Sequence, residues 1–215
     1  MGTFLVIVKT LAEGALTALQ ISAGAFLIAA LCGLALALAR TFIHHRLVQV
    51  TIAAYSEWMR NVPALAHLFV LYFGLASAGI RLSPVMAACL GLGLVGASVL
   101  CDIFTAGLRS LHMGQREAAL AVGLTPAQVL HCVLLPQMLR VTLPSLGNYG
   151  SQLVKDTSIA SAIAVPEIMF YARNLVTSTF ETTLIYLAAM ALYAAIVLPI
   201  TWAFASTERR LEACR

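Results

Sequence analysis

The chain reads as an all-α membrane protein with five transmembrane helices, and three observations predict it. Of its 215 residues 61% are hydrophobic and only 10% charged, with a mean hydropathy of +0.93, too little polar surface to cover a water-soluble globule. Four windows carry no charge at all: 21–39, 62–80, 82–101 and 182–207. Each reaches roughly the 18 to 20 residues that a helix needs to cross hydrocarbon. Between the apolar segments lies one compact polar stretch, residues 113–136, with the signals of two capped helices.

Taken in order, Thr3 to Glu13 reads as an interfacial or short entry helix leading into a first span over about 14–39, rich in Ala and Gly and closed by Arg40. No basic segment followed by an apolar core and a small-residue cleavage site precedes it, so the first span is expected to do the targeting. The polar stretch from Arg40 to Arg60 reads as a helix along the membrane interface. Pro63 and Pro84 open the second span (62–80) and the third (84–108), a first-turn position that suits a residue without an N–H. A fourth span over 143–165 opens near Pro144 and ends at Pro166, with Lys155 and Asp156 inside it; a fifth covers 182–206. No internal repeat or second domain is visible, and 1–215 reads as one domain.

Lys and Arg counts orient the spans. With the N-terminus outside, Arg40, Arg46, Arg60, Arg109, Arg116, Arg140, Arg209, Arg210 and Arg215 fall in the cytoplasm, and only Lys9, Arg81 and Arg173 fall outside. Five spans then put the C-terminus inside, and the 113–136 hairpin faces the cytoplasm.

Several motifs are discounted. Gly91-Leu-Gly-Leu-Val-Gly96 matches a dinucleotide fingerprint in form, but inside an apolar span its glycines serve close helix approach. The five cysteines, at 32, 89, 101, 132 and 214, show neither a disulfide frame nor metal spacing and read as packing residues. No zinc, nucleophile-elbow or phosphate-loop motif occurs, so neither cofactor nor metal is expected in this chain. Among the histidines, His67 reads as a packing residue in preference to a proton relay. Glu167 and Arg173 lie where an outer protein would dock, or are ordinary solvated charges at a span end.

The hairpin is better specified. One helix runs from Met113 to about Val122, Gly123 supplies a position open to positive φ, and Thr125-Pro-Ala-Gln128 forms a capping box with Pro at the first helical position. The second helix is expected to stop at Pro136. A soluble partner docking here and an ordinary amphipathic surface hairpin both fit these residues.

Glu117-Ala118-Ala119, Gly123, Val133, Leu135 and Pro136 fall at the spacing of the "EAA" loop and resemble the signature of permease subunits of bacterial ATP-binding-cassette (ABC) importers. Gly114-Gln115, Pro136-Gln137 and Lys155-Asp156-Thr157-Ser158 look like the polar amino-acid branch of that family. Arg60-Asn-Val-Pro63 resembles its Arg-Gly-Thr-Pro element, followed by Tyr72-Phe73-Gly74. The resemblance covers about 10–206. It implies a type I importer permease of the MetI-like fold, paired with a second permease, resting on an ABC ATPase dimer that holds ATP and Mg, and served by an extracytoplasmic solute-binding protein. By that likeness Gln115, Glu117, Ala118, Ala119, Gly123, Leu124 and Pro136 belong to the coupling element, and Arg60, Asp102, Thr105, Lys155, Asp156, Thr157 and Ser158 to a pathway for a small polar solute. The implied location is a bacterial inner membrane with lipid around the spans and no nucleic-acid partner.

Two further points concern charge. Lys155 and Asp156 are expected to face the protein interior, because a bare charge in lipid costs several kcal/mol; adjacent helical residues diverge by about 100°, so another segment is expected to meet at least one of them. The family's Ala-Tyr-x-x-Glu-x-x-Arg pattern is replaced by Ser98, Val99, Asp102 and Thr105, without the arginine fork that holds carboxylates. That departure favours a non-identical second permease, with a homodimer as the alternative. An ATP-independent carrier or an intramembrane enzyme using Asp102, Lys155 and Asp156 is the rival reading.

Overall fold

The computed structural model describes the backbone of residues 2–212 and the side chains of 5–207; Arg209, Arg210, Cys214 and Arg215 of the counts above lie outside the described side chains. Among the described residues every regular element is helical: α1 (Gly2–Phe42), α2 (Arg46–Asn61), α3 (Ala64–Ser77), α4 (Pro84–Ser110), α5 (Met113–Ala121), α6 (Pro126–Ile163), α7 (Ile168–Thr179) and α8 (Thr182–Glu212). Four of these are long and apolar enough to cross a membrane, and the bent pair α2–α3 makes up to five.

The contacts fix the directions. Gly24 lies against Cys89 and Gly33 against Leu100, so α1 and α4 run side by side in the same sense. Gly96 meets Tyr149 and Gly107 meets Thr142, so α6 runs the other way; Ser151 bonds Thr201 at 2.9 Å, and α8 opposes α6 in turn. The glycines of the 91–96 motif face Leu68, Ile28 and Tyr149 on three different segments. They act as spacers, as close helix approach requires.

The elements depart from expectation at several points. Residues 3–13 are no separate entry helix: α1 runs unbroken for 41 residues, roughly 60 Å at about 1.5 Å per residue. Ile7, Leu11 and Ala18 form a buried stripe that packs on Ile168 and Ala172 of α7 and on Ile185 and Ala189 of α8, and that second layer keeps the helix going.

The second crossing is composite. α3 has 14 residues, about 21 Å, short of the roughly 30 Å of hydrocarbon, and it meets α2 at a 102° bend. Its Tyr72-Phe73-Gly74 lie in a π turn, Val70–Gly74. α2 packs on α4, where the Tyr55 hydroxyl donates to the Leu94 carbonyl at 2.6 Å.

Pro136 does not end the hairpin's second helix. A π turn over Val129–Leu134, in which the Leu135 amide reaches back to Leu130, widens the helix ahead of the proline. The ring escapes the carbonyl clash that it meets in a regular helix. The chain then continues through Pro144, inside the helix rather than at its start, and tightens to a 3-10 helix over Thr157–Ile163. Hydropathy marks where the medium changes from water to lipid, and the helix crosses that boundary without a break.

Candidate functional site

The hairpin sits at one end of the bundle. Met113–Ala121 is helical, Gly123 takes φ +88°, and the Thr125–Gln128 capping box is formed in both directions. Ala119 (7% exposed), Val129 and Leu134 are buried with Phe104, Leu108 and Met138 at the base of α4 and α6. Gln137 Nε2 donates to Gln115 Oε1 at 3.4 Å, a second tie between α5 and α6. The hairpin is therefore packed onto the spans.

Its outer face is open. Gln115, Glu117, Ala118, Gly123 and Pro136 are exposed and Leu124 half-buried. Met113 is 74% and Val122 78% exposed, two apolar side chains on a polar surface. Gln115 and Glu117 lie beside them.

A second constellation joins α1, α2 and α4. Arg40 Nη1 donates to Asp102 Oδ1 at 2.7 Å, Arg60 Nη1 takes Oδ2, and Arg60 Nη2 binds Glu57 Oε1 at 2.8 Å. Glu57 also accepts from the Asn61 amide group at 2.9 Å. Sequence reading named Arg60 and Asp102 and missed Arg40 and Glu57. The i,i+3 spacing of Glu57 and Arg60 was the available signal for one of them; for Arg40 there was none, since its partner lies 62 residues away. Arginines from α1 and α2 meet the acid, and none stands at position 105. Thr105 is buried, and its hydroxyl has no hydrogen-bond partner among the described residues.

The third group lies at the far end of α6 from the hairpin. Thr157 Oγ1 donates to the Val154 carbonyl at 2.7 Å and Ser158 Oγ to the Lys155 carbonyl at 2.8 Å, so both hydroxyls are satisfied within their own helix. Asp156 Oδ1 accepts from Gln152 Nε2 at 2.8 Å. Lys155 is exposed, has no carboxylate within ion-pair distance among the described residues, and lines an open groove of about 420 Å³ with Ser158, Met169, Tyr186, Met190 and Tyr193. The other segment expected to meet Lys155 or Asp156 is not found among the described residues: Asp156 is bonded by Gln152, one turn back on its own helix, and Lys155 is left exposed. The groups at Asp102 and at Lys155 are separate in the structure.

Glu167 is neither solvated nor available for docking. It is 0% exposed, caps α7 by accepting from the Met169 and Phe170 amides at 2.9 and 2.7 Å, and accepts from the Tyr193 hydroxyl at 2.7 Å. Burial pushes its carboxyl above the ordinary glutamate range, against the pull of those donors. A Cβ on Gly14 of α1 would lie 2.5 Å from the Glu167 backbone, so only glycine lets α1 approach there. Arg173 stays exposed and donates to the Ser161 carbonyl at 2.6 Å. His67 bonds the Pro63 carbonyl with Nδ1 at 3.3 Å, in keeping with a packing role, while its buried Nε2 has no partner among the described residues.

The family described as binding-protein-dependent transport system inner membrane component matches residues 25–213. The chain is 34% identical over 159 residues to the probable glutamine ABC transporter permease protein GlnM of Bacillus subtilis (strain 168), covering 74% of each chain. It is 30% identical over 211 residues to the glutamine transport system permease protein GlnP of Escherichia coli (strain K12), covering 95% of this chain and 94% of that one. A crystal structure of an amino acid ABC transporter with histidines superposes with a TM-score of 0.85 at 27% identity, covering 96% and 98% of the two chains. An inward-facing MetNI methionine ABC transporter gives 0.78 at 20% identity over 94% and 96%, a likeness of fold.

Proposed function

The chain belongs to the family of binding-protein-dependent transport system inner membrane components, and from that premise we propose that it carries a polar amino acid or a close analogue across the inner membrane. It is the permease subunit of an ABC importer, a transport subunit whose ATP hydrolysis resides in a partner chain. Relatives named for glutamine and amino-acid transport support the substrate class. The rival readings, an ATP-independent carrier or an intramembrane enzyme, are not favoured. Importers of this family work with an ATPase and a solute-binding protein.

The observation that carries the coupling role is the hairpin: buried through Ala119, Val129 and Leu134 on one side, exposed through Met113, Glu117 and Val122 on the other. An element so packed transmits closure of an ATPase dimer to α4 and α6, since a packed block shifts as a unit. ATP and Mg are held by that dimer. The N-terminus lies outside and the hairpin in the cytoplasm, in keeping with the distribution of Lys and Arg. Asp102 is taken up by Arg40 and Arg60 of its own chain, and Lys155 opens onto a groove without a counter-ion. A non-identical second permease facing that groove is the pairing we favour over a homodimer.

The test is Glu117→Lys. The permease is expected to remain inserted while ATPase co-purification and ATP-driven uptake of the amino acid are lost. Unchanged uptake would overturn the coupling assignment. Uptake by this permease alone with ATPase and binding protein, with no second permease gene present, would overturn the heterodimer.

A further inference from the structure

Two cavities at the hairpin end share a wall. The larger, about 580 Å³, is an apolar groove between the last turns of α1, with Ala35, Leu38 and Phe42, and the hairpin, with Leu120 and Leu130. The smaller, about 280 Å³, brings together Thr41, His44, His112 and Arg116. Phe42, Arg116 and Leu134 line both, so the two adjoin in one depression, apolar over its larger part, with Arg116 at the junction and His44 and His112 at the polar end. No acidic residue lines either part.

The polar end holds unused donors. Arg116 has no carboxylate within 4.0 Å among the described residues. His112 Nδ1 accepts from the Gly114 amide at 3.2 Å, which places the proton of the neutral ring on Nε2, where it can donate. The Thr41 hydroxyl lines the smaller cavity and has no hydrogen-bond partner among the described residues, a condition native structures avoid unless a ligand or water completes it. The apolar end is continuous with the lipid-facing side of α1. Leu27 and Leu31 are 60% and 63% exposed, and Ala35, Leu38 and Phe42 follow at helical spacing on the same face.

We propose that this depression binds an anionic phospholipid from the leaflet on the hairpin side. Its phosphate lies against Arg116, His112 and Thr41 with His44 at the rim, and an acyl chain follows the groove up α1 into the bilayer. An arginine with neighbouring donors suits a phosphodiester, and the groove suits a hydrocarbon chain that a free anion lacks. The lipid would bridge the end of α1 to α5 one residue before Glu117, so the membrane's anionic content would set how firmly the coupling surface is held.

The experiment uses the purified permease with its ATPase in detergent, titrated with dioleoylphosphatidylglycerol or dioleoylphosphatidylcholine and read by native mass spectrometry. The expected preference for phosphatidylglycerol is roughly fivefold, the scale of one basic residue at an anionic membrane surface. Arg116→Gln should abolish that preference, and Ala35→Phe, which fills the groove from an exposed position, should weaken binding of both lipids. Equal binding of the two lipids by the wild type, or a preference that survives both variants, overturns the proposal. Displacement of phosphatidylglycerol by millimolar inorganic phosphate, or disulfide capture of a second permease or of the ATPase at Ala35→Cys, overturns it in favour of a free anion or a protein occupant. None of these readings depends on which solute is transported.

Discussion

The Arg40 guanidinium lies 2.7 Å from the Asp102 carboxylate, fastening the last turns of α1 to α4 across 62 residues of sequence. Arg60 holds the other carboxylate oxygen, so one acid serves two cations from two segments.

Asp102→Ala should therefore destabilise more than either arginine variant, since it strands both cations. The side chains are 29–41% exposed, which limits the cost to about 1–2 kcal/mol. Thermal unfolding of the detergent-solubilised protein measures it. A double-mutant cycle of Arg40→Gln with Asp102→Asn should give a coupling of about 1 kcal/mol, and additivity within about 0.3 kcal/mol would show that the pair contributes nothing.

Glu167→Ala removes a helix cap and orphans the Tyr193 hydroxyl in a buried site, with an expected cost of about 2–4 kcal/mol; Tyr193→Phe should cost about 1 kcal/mol. Because the folded carboxyl is raised, its contribution is complete below the ordinary glutamate value and lost as pH rises through the elevated one. The Tm of the wild type relative to Glu167→Gln should accordingly be highest at acidic pH and decline toward neutrality. A difference that grows with pH would contradict the buried-acid assignment.

Gly123→Ala isolates backbone strain in the hairpin. φ is +88° and nothing lies within 4 Å of the added Cβ, so the cost, about 1 kcal/mol, comes from conformation alone. The expected result is a modest fall in Tm with weakened ATPase association. A pull-down at fixed permease concentration reads the second effect.

Lys155→Met should leave the unfolding free energy within about 0.5 kcal/mol of the wild type, because among the described residues no carboxylate loses an ion-pair partner. Uptake should fall several-fold if the groove beside Tyr186 and Tyr193 belongs to the pathway. A large stability loss with normal uptake would instead make Lys155 a packing residue at a permease–permease contact.

The hairpin was legible because its signals are local. Gly123, Thr125, Pro126 and Gln128 act within a few residues of one another, and the expected turn and capping box are both present. Pro136 misled because a proline stops a regular helix, whereas the π turn that absorbs it, Val129–Leu134, has no comparable mark in the residues. The entry helix misled for a different reason. Ile7 and Leu11 look interfacial by composition, and only the presence of α7 and α8 beside them makes a buried stripe.

By itself, the sequence determined the medium, the apolar crossings and the family, because hydropathy and the EAA-type spacing are written in near neighbours. The tertiary structure alone decided where the charges end. Arg40 and Arg60 turn to Asp102, Glu167 turns to Tyr193, and Lys155 is left facing a groove. An intramembrane charge must find a partner or water, and which of these it finds depends on segments brought together from tens of residues away.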